Sequence, residues 1–112
     1  MLKVFLTGAT GFLGGELLME LSRVEEIEKI VCLVRGADDE SAAQRIKRAF
    51  DFHGDRYDPL KIVPLRGDLR SPRLAFDLQA APELRDIDVV IHAAANTSFL
   101  PDRKSTRLNS RH

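Results

Sequence analysis

Four short apolar runs, separated by stretches in which hydrophobic residues recur every three or four positions, set out the plan of this chain. Leu2–Leu6, Lys29–Val34, Lys61–Leu65 and Asp88–His92 are apolar at their centres, which predicts strands, and the continuous run of the second is of the kind a strand buried on both faces requires. After the first run, Leu13, Leu17, Leu21 and Val24 form a stripe at i, i+4, i+8 and i+11, predicting a helix. After the second, Ala42, Ile46, Ala49 and Phe50 share a helical face, and Asp38, Asp39 or Ser41 can cap it. Gly54, Asp55, Asp58 and Pro59 then mark turns before the third run. Ser71 to Arg85 is a weaker helical stretch interrupted by Pro72 and Pro82.

Strands alternating with helices over short links predict the α/β class, with a doubly wound, Rossmann-type parallel sheet in the order 3-2-1-4 that stops after the fourth strand. That order places the third strand at an edge, where Pro64 is tolerated although it has no N–H for a ladder.

The link between the first strand and first helix reads Thr7-Gly8-Ala9-Thr10-Gly11-Phe12-Leu13-Gly14. A buried strand fixes such a loop, glycines let its backbone approach a ligand, and the helix that follows aims unpaired N–H groups and a positive dipole end outward. A dinucleotide pyrophosphate fits this arrangement. The spacing Gly8-x-x-Gly11-x-x-Gly14 has one residue more than G-x-G-x-x-G, and no Gly-Lys-Ser/Thr follows at the offset a P-loop needs.

The end of the second strand decides between cofactors, because NAD-preferring folds place an acidic residue there against the ribose 2′-OH. Here it reads Val34-Arg35-Gly36. A guanidinium cannot accept from that hydroxyl but grips a 2′-phosphate, so NADP(H) is expected, with Arg45 as a second candidate cation. Asp38 and Asp39 lie beyond the strand end and suit helix caps. Gly67-Asp68-Leu69 and His92-Ala93-Ala94-Ala95 follow the third and fourth strands, where strand ends meet the ligand crevice of such folds.

The glycine spacing resembles that of the extended short-chain dehydrogenase/reductases. Together with Val31-Cys32-Leu33-Val34-Arg35, Arg45 ten residues on, and Ile91-His92-Ala93-Ala94-Ala95 leading to Ser98-Phe99, the chain resembles the thioester reductase and fatty acyl-CoA reductase branch, the male-sterility-type NAD-binding domains, over residues 1 to about 100. The resemblance implies NADPH-dependent reduction of a CoA- or carrier-protein-bound acyl thioester to an aldehyde or alcohol. It implies cofactor contacts from Thr7, Gly8, Thr10, Gly11, Phe12, Leu13, Gly14, Arg35, Arg45, Asp68, Leu69, Ala94 and Ala95. Within it the first glycine makes the turn, the second approaches the pyrophosphate and the third lets helix and strand pack, while Asp68 accepts from the adenine amino group. A sugar epimerase or dehydratase of the same superfamily, which would keep NAD, and a dinucleotide-sensing regulator without chemistry are the alternatives.

Such reductases act through Ser or Thr and a Tyr-x-x-x-Lys pair placed after strands four and five. The chain's literal match, Tyr57-x-x-x-Lys61, precedes the third strand and contains Pro59, which opposes the helical turn that would align the two. It is read as accidental, and Thr97 and Ser98 as loop residues on the cofactor side, so no catalytic residue is assigned. Residues 1–101 are thus expected to be the amino-terminal part of an NADP-binding domain, inactive alone. Such a sheet leaves Val89-Val90-Ile91 unpaired on one side, which predicts marginal stability and association.

Residues 102–112 have no apolar periodicity and closely resemble one reading frame of a common sequencing-library adapter, Arg111 being the departure, so they are expected to be a disordered, appended segment. The full chain has 17 basic and 17 acidic residues; without that segment 13 and 16 remain, a formal −3, and no basic patch argues for nucleic acid. The apolar runs are too short to span a membrane and no signal peptide is visible. Cys32, the single cysteine, is expected buried and reduced, as in the cytoplasm. His53, His92 and His112 lack metal-ligand spacing, so no metal is expected.

Overall fold

A computed structural model describes residues 1–93. Strand β1 (Leu2–Thr7) leads into helix α1 (Phe12–Ser22), β2 (Ile27–Val34), α2 (Asp39–His53), β3 (Ile62–Arg66), α3 (Leu74–Ala80), a 3₁₀ turn (Pro82–Leu84) and β4 (Val89–His92). All pairings are parallel and the strand order is β3-β2-β1-β4, the order expected from the alternation of patterns. Pro64 lies opposite Cys32 on the edge strand β3.

Period-two alternation along the strands divides the core between two faces. Val4, Leu6, Ile30, Cys32 and Val34 pack with Leu18 and Met19 of α1 and with Ala42, Ile46 and Phe50 of α2. Phe5, Val31 and Leu33 turn to the opposite face, which Leu74 and Leu78 of α3 and Leu84 and Ile87 beyond it cover. Helices therefore cover both sides of the sheet, and the continuous apolar runs follow from that double burial.

Helix α2 forms as its sequence predicts. Asp38 is the cap, its carboxylate accepting from the Ser41 N–H at 2.8 Å, and this bond, more than the nearby Arg66, holds the Asp38 carboxyl below its ordinary range. Helix α1 departs from its expected stripe. Gly14, Gly15, Leu18 and Met19 are the buried residues, Leu17 and Leu21 flank them, and Leu13 and Val24 are exposed. The two glycines carry no side chain, so the helix approaches its neighbours along that line and the buried face turns away from Leu13. Pro82 lies just beyond α3, which ends at Ala80 after 7 residues. Two contacts fasten the far end of α1: Arg23 grips Asp55 at 2.7 and 2.9 Å, and Lys61 Nζ donates to the Ser22 and Val24 carbonyls. No helix among the described residues is long and apolar enough to cross a membrane.

Candidate functional site

Parallel strands end at one edge of a sheet, and here the ends of β1, β2 and β3 open a cleft of about 360 Å³. Gly8 and Thr10 line it from the glycine loop, Arg35 and Arg45 from the end of β2 and from α2, and Asp68 and Leu69 from the link after β3. Residues distant in sequence are thereby brought together, and all six were expected at the site.

The loop has its shape for local reasons. Gly8 has φ 79°, in the left-handed region, and its carbonyl accepts from the Gly11 N–H at 3.1 Å, which tightens the turn. Gly11 stands at the cap position before α1 and offers no side-chain cap, and the first turn of the helix holds no acidic residue. The positive end of α1 is therefore neither capped nor neutralised. At α2 the opposite holds, since Asp38 caps it and Asp39 and Glu40 follow. Of the two helix starts, α1 is the one suited to an anion.

Gly14 brings α1 against the chain that leaves β1. A Cβ built there would lie 1.7 Å from the Gly8 carbonyl oxygen, so the third glycine is needed by the turn that the first one makes. Thr7 is 4 % exposed and its hydroxyl hydrogen-bonds His92 Nδ1, joining β1 to β4 rather than facing the cleft. Phe12 and Leu13 are exposed but do not line the cleft. Phe12 borders an adjoining hollow with Arg48, Phe52 and His53. Ala94 and Ala95, like Thr97, Ser98 and the segment 102–112, lie outside the described residues.

The two arginines are organised by the backbone. Arg45 Nη1 donates to the Arg35 carbonyl at 3.3 Å, bringing the α2 side chain to the end of β2. Arg66 is directed elsewhere, to the Ala37 carbonyl at 2.8 Å and Asp39 at 3.5 Å.

Arg70, which also lines the cleft, was not expected. Its backbone N–H donates to Asp68 Oδ1 at 2.9 Å and its guanidinium reaches both carboxylate oxygens at 3.3 and 3.4 Å. Those bonds, and after them the charges of Arg70 and Arg35, hold the Asp68 carboxyl below its ordinary range. The available signal was the two-residue spacing, at which a turn carboxylate accepts from the chain ahead of it.

Tyr57 and Lys61 do not form a pair. The Tyr57 ring meets Phe50 edge-on at 5.5 Å between centroids, and Lys61 is committed to the end of α1. Among the described residues no group of three or more His, Cys, Asp and Glu side chains is placed to hold a metal ion.

A family model described as male sterility protein, of the NAD-binding type, matches residues 6–109, which takes in most of the segment 102–112. Among similar proteins is the non-canonical nonribosomal peptide synthetase hkm10 of Aspergillus hancockii, 35% identical over an aligned length of 101, which covers 87% of this chain and 10% of that protein. Fatty acyl-CoA reductase 2, chloroplastic, of Arabidopsis thaliana is 29% identical over 87% of this chain and 18% of its own length. A solved thiolation-reductase di-domain from an archaeal non-ribosomal peptide synthetase superposes with a TM-score of 0.68 at 32% identity, covering 85% of this chain and 25% of that one. The chain thus spans a quarter or less of each of these three proteins.

Proposed function

The chain belongs to the male sterility protein family of NAD-binding domains, and from that membership we propose that it is the NADP(H)-binding part of a reductase acting on acyl thioesters. The observation that carries the cofactor reading is the cleft, where Arg35 and Arg45 border the same space as the glycine loop. The residues fit such a ligand: α1 offers an open positive end, and Gly11 leaves its backbone bare beside it. When bound, NADP(H) would supply hydride chemistry. The chain's own residues would bind and orient it, with Gly8, Thr10 and Gly11 at the pyrophosphate, Arg35 and Arg45 at a 2′-phosphate, and Asp68 and Leu69 at the base.

An acyl group on coenzyme A or on a carrier protein is the substrate class proposed for the whole protein, because its relatives are named as peptide synthetases and a fatty acyl-CoA reductase. Arg35, where an NAD-keeping epimerase would more often have an acidic residue, favours the reductase. We read residues 1–101 as the domain's beginning and 102–112 as an appended segment, and we propose a cytoplasmic location, with which the buried free thiol is compatible.

Titration of the chain with NADP⁺ and NAD⁺, followed by calorimetry, tests the reading. NADP⁺ binds more tightly if it holds, whereas equal affinities overturn the preference. A continuous reading frame through residues 102–112 at the source locus would overturn the reading of that segment.

A further inference from the structure

We propose that Arg70 is a positioning residue, fixing the Asp68 carboxylate at the cleft wall as an acceptor for the exocyclic amino group of the dinucleotide's base; this rests on the dinucleotide reading above. Asp68 stands on the link after β3, and its own carbonyl accepts from the Ser71 N–H at 2.9 Å, which closes a turn around it. Within that turn the carboxylate faces Arg70 through three contacts of 2.9 to 3.4 Å, and Arg35 and Arg45 border the same cleft, so a second direction, towards them, is open to it in principle. The second choice would remove the acceptor and the phosphate-binding cations together, since opposite charges sharing a cleft neutralise one another. Arg70 supplies a local partner that prevents it.

Several features agree with this role. Arg70's side chain is 75% exposed, so it contributes little to the core, and the carboxylate it holds is 37% exposed and open to a ligand. Oδ1 accepts twice from Arg70, whereas Oδ2 accepts once and has a second lone-pair direction left for an incoming N–H. An ionised carboxylate only accepts, so it favours a base with an amino group over one with a carbonyl at the same position. Holding it in one orientation beforehand removes an ordering cost from binding.

The test compares the unmutated chain with Arg70→Ala, Asp68→Asn and the double variant, measuring dissociation constants for NADP⁺, NAD⁺ and nicotinamide hypoxanthine dinucleotide. Arg70→Ala is expected to weaken NADP⁺ and NAD⁺ alike, by roughly tenfold, and to reduce the preference for adenine over hypoxanthine. In the Asp68→Asn background it should have no further effect. Carbon-13 NMR of the Asp68 carboxyl should show its titration moving up in Arg70→Ala, with or without ligand. A loss confined to NADP⁺ would make Arg70 a phosphate contact and overturn the proposal, as would unchanged affinities and selectivity. If the unmutated chain binds neither dinucleotide, the function proposed above fails, and an unmoved Asp68 titration would show separately that Arg70 does not hold the carboxylate.

Discussion

Gly14 and the carbonyl of Gly8 are in such close contact that a Cβ on Gly14 would come within 1.7 Å of the oxygen and 2.5 Å of its carbon. Neither partner can yield cheaply, because both are backbone and Gly8 is already in the left-handed region at φ 79°. The same construction at Gly11 meets the Gly8 oxygen at 3.4 Å, an ordinary contact. Of these two glycines of one motif, the fold requires Gly14, whereas Gly11 is required only by the dinucleotide we propose.

The two substitutions should therefore separate. Gly14→Ala is expected to destabilise the chain by about 3 kcal/mol or more, through overpacking against a backbone that cannot relax. Gly11→Ala should change stability by less than about 1 kcal/mol, since the residue's φ of −79° and ψ of 174° suit alanine, while weakening dinucleotide binding. Urea denaturation and ligand titration on both variants check this. Equal destabilisation would show that the contact at Gly14 does not govern the loop.

Arg35 should set cofactor preference. Replacing it with Asp is expected to weaken NADP⁺ by roughly 10- to 100-fold, by removing a charge-assisted contact and adding repulsion. NAD⁺, with no 2′-phosphate, should bind at least as well as before. Calorimetric titration of both dinucleotides measures the ratio. Because the Arg45 guanidinium reaches the Arg35 carbonyl rather than its side chain, Arg45 should remain at the cleft in this variant.

The sheet could be read from the sequence because burial of β1 and β2 on both faces produces continuous apolar runs, and four apolar runs with helical patterns between them permit few arrangements. Order, strand positions and the α2 cap at Asp38 follow from local rules. The face of α1 was misread because leucines dominate a hydrophobic count, whereas Gly14 and Gly15 determine where the helix approaches most closely. Within the site, Gly8, Arg35 and Asp68 stood at strand ends and were legible for that reason. Arg70 was not, because its importance comes from its bond to Asp68, and an arginine in a turn otherwise reads as a solvated side chain. Thr7 had a similar ambiguity: its place in the motif points to a ligand, but the link to His92 spans 85 residues and no local pattern reveals it.

Burial at the centre of β2 pushes the Cys32 thiol up to about 12 from 9.0, because the thiolate would have to ionise away from water. In the unfolded chain the thiol ionises at its ordinary value. The contribution of this group to stability is therefore fully present below about pH 9 and is lost as pH rises towards 12, at up to about 1.4 kcal/mol per pH unit. Urea denaturation at pH 8 and pH 10 should show the decline, and Cys32→Ala should remove this part of it. Iodoacetamide should label Cys32 only on unfolding; rapid labelling of the folded chain at pH 8 would contradict its burial.

Lys61 and Tyr57 have the spacing of a reductase acid pair, yet their contacts assign them to the scaffold. The Lys61 ammonium donates to the Ser22 and Val24 carbonyls at 2.9 and 2.8 Å, satisfying acceptors that the end of α1 leaves open and meeting the negative end of its dipole. Lys61→Met keeps most of the apolar stem and removes the ammonium, and should cost about 1–2 kcal/mol of stability. Tyr57→Phe keeps the ring against Phe50 and should cost less than about 1 kcal/mol. Neither should alter dinucleotide affinity, because both residues lie away from the cleft that Arg35 and Asp68 line. Thermal melting and calorimetric titration of the two variants distinguish the roles: a fall in affinity at unchanged melting temperature would return the pair to the site, whereas a lower melting temperature at unchanged affinity in Lys61→Met identifies it as the tether of α1.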